Sequence, residues 1–410
     1  MRILYIAPSI PVPGFHGGST HVLELGRHLV KLGCEIVVLA RRLPSQSFHE
    51  YFEGLCVYRI WRGIFRPFLV DRAVGSLGNS RFLVNEKARK IVERLYFSSF
   101  YLVYVSVLAI FLAKKHCVDV VLERGDSYGC GAVVSMILRK PLVTEIRDIY
   151  QPLISLLRAK RLLTYNPSII RMPNFRPKAF IMYGGVDVNR FKRAKRHDQT
   201  PEKVVVGYAG SLVQAHMLDI LPELAKLLIN EYGSRVRLLL VGPYTRKVLE
   251  EIRALGLSSH LGFTGPVAYD KILMYLKAVD IAVALYDPLR IAGPPYKVYE
   301  YMASEIPVIT TETLYTKSIV EDGVDGFLVK TNSTKEVLSK ISALLDNPSL
   351  REKMGRKARE VALKYSWTNE AKRILLLLSS IVQQSVLGEK DFKRLRKSLQ
   401  LSINAVRSQG

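Results

Sequence analysis

Apolar runs and amphipathic stretches alternate along almost the whole chain. "RILYIAP" predicts a first strand, and "STHVLELGRHLVKLG" a helix, with apolar positions at Val22, Leu23, Leu25, Leu29 and Leu32 and Gly33 as its stop. "EIVVLA" is the next strand, and "VDVVLE", "PLVTEI" and "KAFIMYGGV" follow as short apolar strands with helical material between them. This is the rhythm of a parallel sheet covered by helices on both faces. The polar stretch around Lys192–Glu202, "KRAKRHDQTPE", reads as a linker. The rhythm then restarts with "KVVVGYAGS", "VRLLLVG", "HLGFTG", "IAVALY", "IPVIT" and "DGFLV", interleaved with helices, which predicts a second doubly wound domain. Two helices, "TKEVLSKISALLDN" and "PSLREKMGRKAREVALKYS", close that pattern. A longer apolar helix, "WTNEAKRILLLLSSIVQQSV", comes next, followed by a basic tail from Gly388 to Gly410. The expected boundaries are 1–190, 200–365, 366–387 and 388–410.

Length supports the division, since 410 residues exceed one ordinary core. The four cysteines, Cys34, Cys56, Cys117 and Cys130, form no Cys-x-x-Cys pair. That argues against a zinc site or a disulfide scaffold and fits a reducing compartment. "MRILYIAPSIPVPGF" has too short an apolar run for a signal peptide and reads as the first strand. The net charge of +24 is uneven: residues 1–200 hold 31 Lys and Arg against 14 Asp and Glu, and residues 201–410 hold 29 against 22. A basic first half implies an anionic partner. The stretch Leu95–Ala113, "LYFSSFYLVYVSVLAIFLA", carries no charge over 19 residues, close to the length of a membrane span. Its three serines and three tyrosines favour a core or membrane-surface helix instead.

Ligands of doubly wound sheets bind at the carboxyl ends of strands, near a switch in strand order. Three glycine-bearing turns fall there. "PGFHGGST" follows the first strand, with Gly17 and Gly18 open to a ligand and Ser19 or Thr20 as helix cap. "YAGSL" follows the first strand of the second half, and "GPPYK" starts the helix within "GPPYKVYEYMASEIPVIT", with proline at its first position. Lys297 and Glu300, three apart, share one face near the positive end of that helix, in a surface cleft. A lysine and a helix N-terminus would hold a diphosphate, and the carboxylate would accept hydrogen bonds from the vicinal hydroxyls of a ribose. An intrahelical ion pair on a solvated face is the plain alternative. The dinucleotide fingerprint and the P-loop are absent, "GCGAVV" at Gly129–Val134 being a fragment. The eight histidines are dispersed and no Asp-x-Asp pair occurs, so no metal is expected.

Several of these segments resemble the retaining glycosyltransferases of family 4, the glycosyl transferases group 1. "GGSTHVLELGRHLVKLGCEIVVLA" is similar to the first glycine loop and helix of that family, "YGGVDVNRF" to its "PNGVDxxxF" and "PPYKVYEYMASEIPVI" to its "PxKxxEYMAxGxPVI". "GYAGSLVQAHM", "EDGVDGFLV" and "YSWTNEAKRIL" resemble the opening of its second domain, the next strand turn and the closing crossover helix. The resemblance runs from Met1 to about Leu378. It implies an α/β fold of GT-B type: two Rossmann-like doubly wound domains facing each other across a cleft, with a C-terminal crossover helix packing back on the first. The first domain would take the acceptor and the second the nucleotide sugar.

The resemblance implies a retaining hexosyltransferase in which Lys297 and Glu300 serve catalysis and donor binding. Gly17, Gly18, Gly210, Ser211, His216 and Val267 would also contact the donor, while Arg124, Arg147 and Asp148 would lie on the acceptor side. Four departures accompany it. Ala292 stands where the family often has a first glutamate, Ser211 where many members have arginine, and His216 where many have lysine. Arg147-Asp148 replaces a His-Asp pair. Retention without a placed nucleophilic carboxylate means front-face displacement. The expected partners are a nucleotide-sugar donor, a lipid-linked or polysaccharide acceptor and an anionic membrane surface, with no specific nucleic acid and no cofactor or metal. The expected place is the cytoplasm, peripheral on the inner face of the membrane. A sugar-nucleotide epimerase, or a polyanion- or membrane-binding protein on a degenerate GT-B fold, is the alternative.

Overall fold

A computed structural model describes residues 1–14, 17–61, 101–147, 151–191, 203–210, 220–243, 250–251, 253–267, 271–286, 295–330 and 333–387. The linker at 192–202, the basic tail and the part of the uncharged stretch before Tyr101 lie outside these residues. The chain forms two compact units. The first comprises Met1–Val12, Leu25–Met182 and Ala371–Gly410, and the second Pro13–Glu24 and Tyr183–Glu370.

The first unit holds an eight-stranded sheet, ordered β3-β4-β2-β1-β5-β6-β7-β8. Its strands are β1 (Arg2–Pro11), β2 (Glu35–Arg41), β3 (His49–Phe52), β4 (Leu55–Ile60), β5 (Val120–Arg124), β6 (Leu142–Ile146), β7 (Arg161–Thr164) and β8 (Ala179–Ile181). All pair in parallel except β3 with β4. The apolar pattern of the sequence does not predict β3, β4 and β7. β3 and β4 form a hairpin whose turn puts both Glu53 and Gly54 at positive φ, the geometry that matches strand twist. β4 hides its burial behind Arg59, which is fully buried and bonded to the Val12 carbonyl and the Glu50 carboxylate. β7 was concealed by the basic cluster around Arg158–Arg161, although Leu162 and Leu163 are fully buried.

The helices of this unit are α1 (Gly17–Lys31, its first residues belonging to the second unit), α2 (Leu102–Lys115), α3 (Cys130–Leu138) and α4 (Leu153–Arg158). α1 begins at Gly17, so Ser19 and Thr20 lie inside its first turn, both buried, and neither caps it. α2 occupies the later part of the uncharged stretch and buries Val105, Ala109 and Leu112 in the core. No helix among the described residues is long and apolar enough to cross a membrane.

The second unit holds a six-stranded parallel sheet, ordered β11-β10-β9-β12-β13-β14. Its strands are β9 (Val204–Ala209), β10 (Val236–Val241), β11 (Leu261–Phe263), β12 (Ile281–Ala284), β13 (Val308–Thr311) and β14 (Gly326–Val329). Apolar clusters cover its two faces, one including Leu224, Leu228, Ile341 and Leu344 and the other including Val298, Tyr301, Met302 and Ala362. The described helices are α5 (Leu221–Tyr232), α6 (Ile272–Leu276), α7 (Tyr296–Ala303), α8 (Thr334–Asp346), α9 (Pro348–Lys364) and the start of α10 (Trp367–Leu387). The chain runs from β9 outward to β10 and β11, then returns to β12 on the other side of β9. The strand order therefore reverses between β9 and β12, which opens a crevice beyond their carboxyl ends.

Candidate functional site

That crevice is where α7 begins. Pro295 sits before the first helical residue, with ψ of 82°, so Tyr296, not a proline, opens the helix. α7 is held from several sides. The Ala209 amide donates to the Tyr301 hydroxyl at 2.6 Å, clamping the helix to the end of β9. The Tyr299 hydroxyl donates to the Tyr183 carbonyl at 2.6 Å. At the far end the Arg359 guanidinium donates to the Ala303 carbonyl, placing a cation against the negative end of the helix. The Tyr296 ring lies 3.3 Å from where a Cβ on Gly17 would be, and its hydroxyl is 3.0 Å from His21 Nδ1. The same ring stacks on Trp367. The N-terminus of α1 and that of α7 are thus brought together within the second unit.

Lys297 points into the crevice. Its ammonium donates to the Tyr208 hydroxyl at 2.8 Å and lies 4.4 Å and 5.2 Å from the ring centres of Tyr208 and Tyr286. Burial lowers its pKa to about 7, against the opposing pull of the Glu300 carboxylate. The faces of two aromatic rings attract the cation without neutralising it. Burial also pushes the Tyr208 and Tyr286 hydroxyls well above their ordinary value, so both stay protonated. Glu300 is only 6% exposed. The sequence predicts both residues on one helix face in a surface cleft; the shared face is as expected, but the carboxylate is buried.

Two glycines make this approach possible. Gly210 has φ of +147°, and a Cβ there would lie 2.8 Å from Lys297 Nζ. Gly242, at φ +128°, would put a Cβ 2.3 Å from the Gly210 carbonyl oxygen. Neither position accepts a side chain without displacement of its neighbour. Val267 follows β11 and packs, with Tyr296, against the apolar cluster on the α7 face of the sheet. Gly17 is exposed and Gly18 half-buried at the start of α1. Ser211, His216 and Ala292 lie outside the described residues. The sequence pattern does not predict Tyr208 and Tyr286 beside Lys297, or the pairing of His21 with Tyr296. Tyr208 stood beside the glycine turn in the sequence, but nothing in spacing joined it to a lysine 89 positions away.

In the first unit Arg124 ends β5 and Arg147 follows β6. Both face the buried Glu145 carboxylate, at 3.8 Å and 2.9 Å, and Glu145 also accepts from the Tyr5 hydroxyl at 2.6 Å. Arg147 donates to the Tyr165 hydroxyl as well. The two arginines proposed for the acceptor side therefore share one carboxylate, and Asp148 lies outside the described residues. Glu145 was legible only as a lone acid in an apolar strand. The glycine fragment "GCGAVV" has an internal partner. The Gly131 amide donates to the Glu123 carboxylate at 2.7 Å, and a Cβ at Gly131 would collide with it. Burial raises the Glu123 pKa.

Glu24 and Asp187 are carboxylates that approach each other within the second unit. Arg190 stands against both, with its guanidinium 3.6 Å from Glu24 and its amide donating to Asp187. The guanidinium thus sets a positive charge beside Glu24, while Asp187 is met by a backbone amide.

Comparison with known proteins agrees with this architecture. Residues 189–361 match the family model for glycosyl transferases group 1. EpsD of Bacillus subtilis (strain 168) is 31% identical over 146 residues, covering 35% of this chain and 36% of that protein. The capsular polysaccharide biosynthesis glycosyltransferase CapM of Staphylococcus aureus is 26% identical over 182 residues, covering 43% and 45%. The chain matches less than half the length of these curated relatives. The crystal structure of Anabaena Alr3699/HepE in complex with UDP and glucose superposes with a TM-score of 0.68 at 17% identity, over 93% of this chain and all of that one. The fold, two Rossmann-like sheets that are parallel but for the β3–β4 pair, with flanking helices, is of the GT-B type.

Proposed function

We propose that the chain is a glycosyltransferase that moves a hexose from a nucleotide-diphosphate sugar to an acceptor hydroxyl with retention of configuration. The observation that carries this reading is the Lys297 ammonium, held at the N-terminus of α7 against Gly210 in the switch-point crevice of a parallel sheet. A cation, a helix N-terminus and side-chain-free backbone together fit a diphosphate. Glu300, one turn further on, would accept hydrogen bonds from the ribose hydroxyls. The match of residues 189–361 to the group 1 family covers this same set of elements.

In the reaction, the bond between the sugar anomeric carbon and the diphosphate oxygen breaks. The acceptor oxygen bonds to that carbon on the same face, and the acceptor proton passes to the departing diphosphate. Lys297 and the end of α7 stabilise the charge that accumulates on the leaving oxygens, and one such contact contributes about 2.7–4 kcal/mol to lowering a barrier. No divalent ion is assigned a role, because the lysine and the helix end carry that charge. The acceptor is a glycan, either polysaccharide or lipid-linked, with Arg124 and Arg147 on its side, and the protein works at the cytoplasmic face of an anionic membrane. The capsular polysaccharide biosynthesis to which CapM belongs and the UDP and glucose bound to HepE accord with this class.

The test is a thermal-shift screen with UDP-, GDP- and ADP-sugars, followed by donor hydrolysis with those that bind. Stabilisation by one nucleotide series, lost in Lys297→Ala, is expected. No shift with any nucleotide sugar would overturn the assignment.

A further inference from the structure

The helices α2, α3 and α4 form one layer on the first unit. The Cys130 thiol at the start of α3 is directed to the Leu102 carbonyl at the start of α2, and the Ile154 side chain at the start of α4 is near Gly129, just before α3. Arg158 ties the end of α4 to Ser135 of α3. All three helices therefore start at one end of the layer and finish at the other.

Their outward faces are unusual for a helix bordering water, which ordinarily carries charge there. On α2, Val103, Val107 and Phe111 recur every fourth residue as one exposed stripe, with Val107 62% and Phe111 58% exposed. Met136 and Ile137 continue it on α3, and Leu153 and Leu157 on α4. None of the three helices contains an acidic residue. Cations gather where they end: Lys114 and Lys115 on α2, Arg139 after α3, and Lys160 and Arg161 just beyond α4, all exposed.

We propose that this layer is a docking surface for an anionic lipid bilayer, on which the exposed apolar residues enter the headgroup region while the basic rim meets lipid phosphates. It deepens the membrane part of the reading above and does not depend on the transferase chemistry. Apolar burial and cation–phosphate attraction are the two terms that hold an interfacial helix layer. The rim also argues against a second copy of the chain as occupant. A twofold interface that kept the helices parallel would set identical cation clusters near each other with no carboxylates on these helices to pair them, and an antiparallel one would leave each cluster facing apolar helix starts with no anion to meet.

The experiment is co-sedimentation of the full chain with vesicles of phosphatidylcholine alone and of phosphatidylcholine with phosphatidylglycerol. Binding is expected only with the anionic lipid, and is expected to fall with salt. A Val107→Ser/Phe111→Ser variant should bind on the order of tenfold more weakly, as should Lys114→Gln/Arg139→Gln/Lys160→Gln. Unchanged circular dichroism and unchanged stabilisation by nucleotide sugar in these variants show that fold and donor site are intact, so the two readings fail separately. Absence of binding to anionic vesicles at low salt overturns the proposal. So does equal binding by the serine variant, or a change from dimer to monomer in that variant with vesicle binding unaltered.

Discussion

The Lys297 ammonium donates a hydrogen bond to the Tyr208 hydroxyl at 2.8 Å while lying over the same tyrosine ring. The lysine belongs to α7 and the tyrosine to β9, so this contact joins the helix end to the strand end at the switch point of the sheet. A neutral hydroxyl and two ring faces keep the ammonium in place but leave its charge available to an anion.

Donor affinity should therefore depend on pH through Lys297. Burial lowers its pKa to about 7. A bound diphosphate raises it, so binding takes up a proton at higher pH. The contribution of the lysine is then fully present below pH 7 and is lost as pH rises, by about tenfold in affinity for each unit above 7 until the pKa of the bound state is reached. Calorimetric titration with an intact UDP-sugar between pH 6 and 9 measures it. Lys297→Arg, which stays charged throughout, should show no such slope. A slope shared by wild type and Lys297→Arg would assign the titration to another group.

Glu300→Gln keeps shape but weakens acceptance from ribose hydroxyls, and should cut transfer at least about a hundredfold. Because the carboxylate is buried beside the ammonium, a stability change of about 1–3 kcal/mol is expected with it, in contrast to an exposed position. Steady-state kinetics with chemical denaturation separates the two effects; near-normal turnover would remove Glu300 from the site.

Gly210→Ala introduces a Cβ 2.8 Å from Lys297 Nζ at a backbone angle that disfavours any side chain. The lysine must shift, so nucleotide-sugar stabilisation in a thermal shift should disappear while the strained backbone costs about 1–3 kcal/mol. Retained donor binding in the alanine variant would show that the ammonium does not need this position.

Transfer should continue in EDTA, since Lys297 and the α7 N-terminus are assigned the charge that a divalent ion would otherwise neutralise. Loss of activity in EDTA, restored by magnesium or manganese, would place a metal in the mechanism.

Periodicity alone determined the two sheets and most of their strands, because parallel strands buried on both faces read as continuous apolar runs bounded by polar helix starts. It also put Lys297 and Glu300 on one face of one helix, a local consequence of three-residue spacing. Strands whose burial depends on a distant partner were not legible. Arg59 hides β4 because its charge is satisfied by Val12 and Glu50, and β7 hides behind basic neighbours. Tertiary structure alone decided the environment of Lys297. The rings of Tyr208 and Tyr286 and the missing side chain of Gly210 come from strand ends far apart in sequence, and their joint burial, not the helix itself, lowers the pKa of the lysine. The exposed layer on α2, α3 and α4 has the same origin. Composition marked the apolar stretch and the basic excess, but only packing against the sheet chose which apolar residues turn inward, as Val105 and Ala109 do, and which face out, as Val107 and Phe111 do.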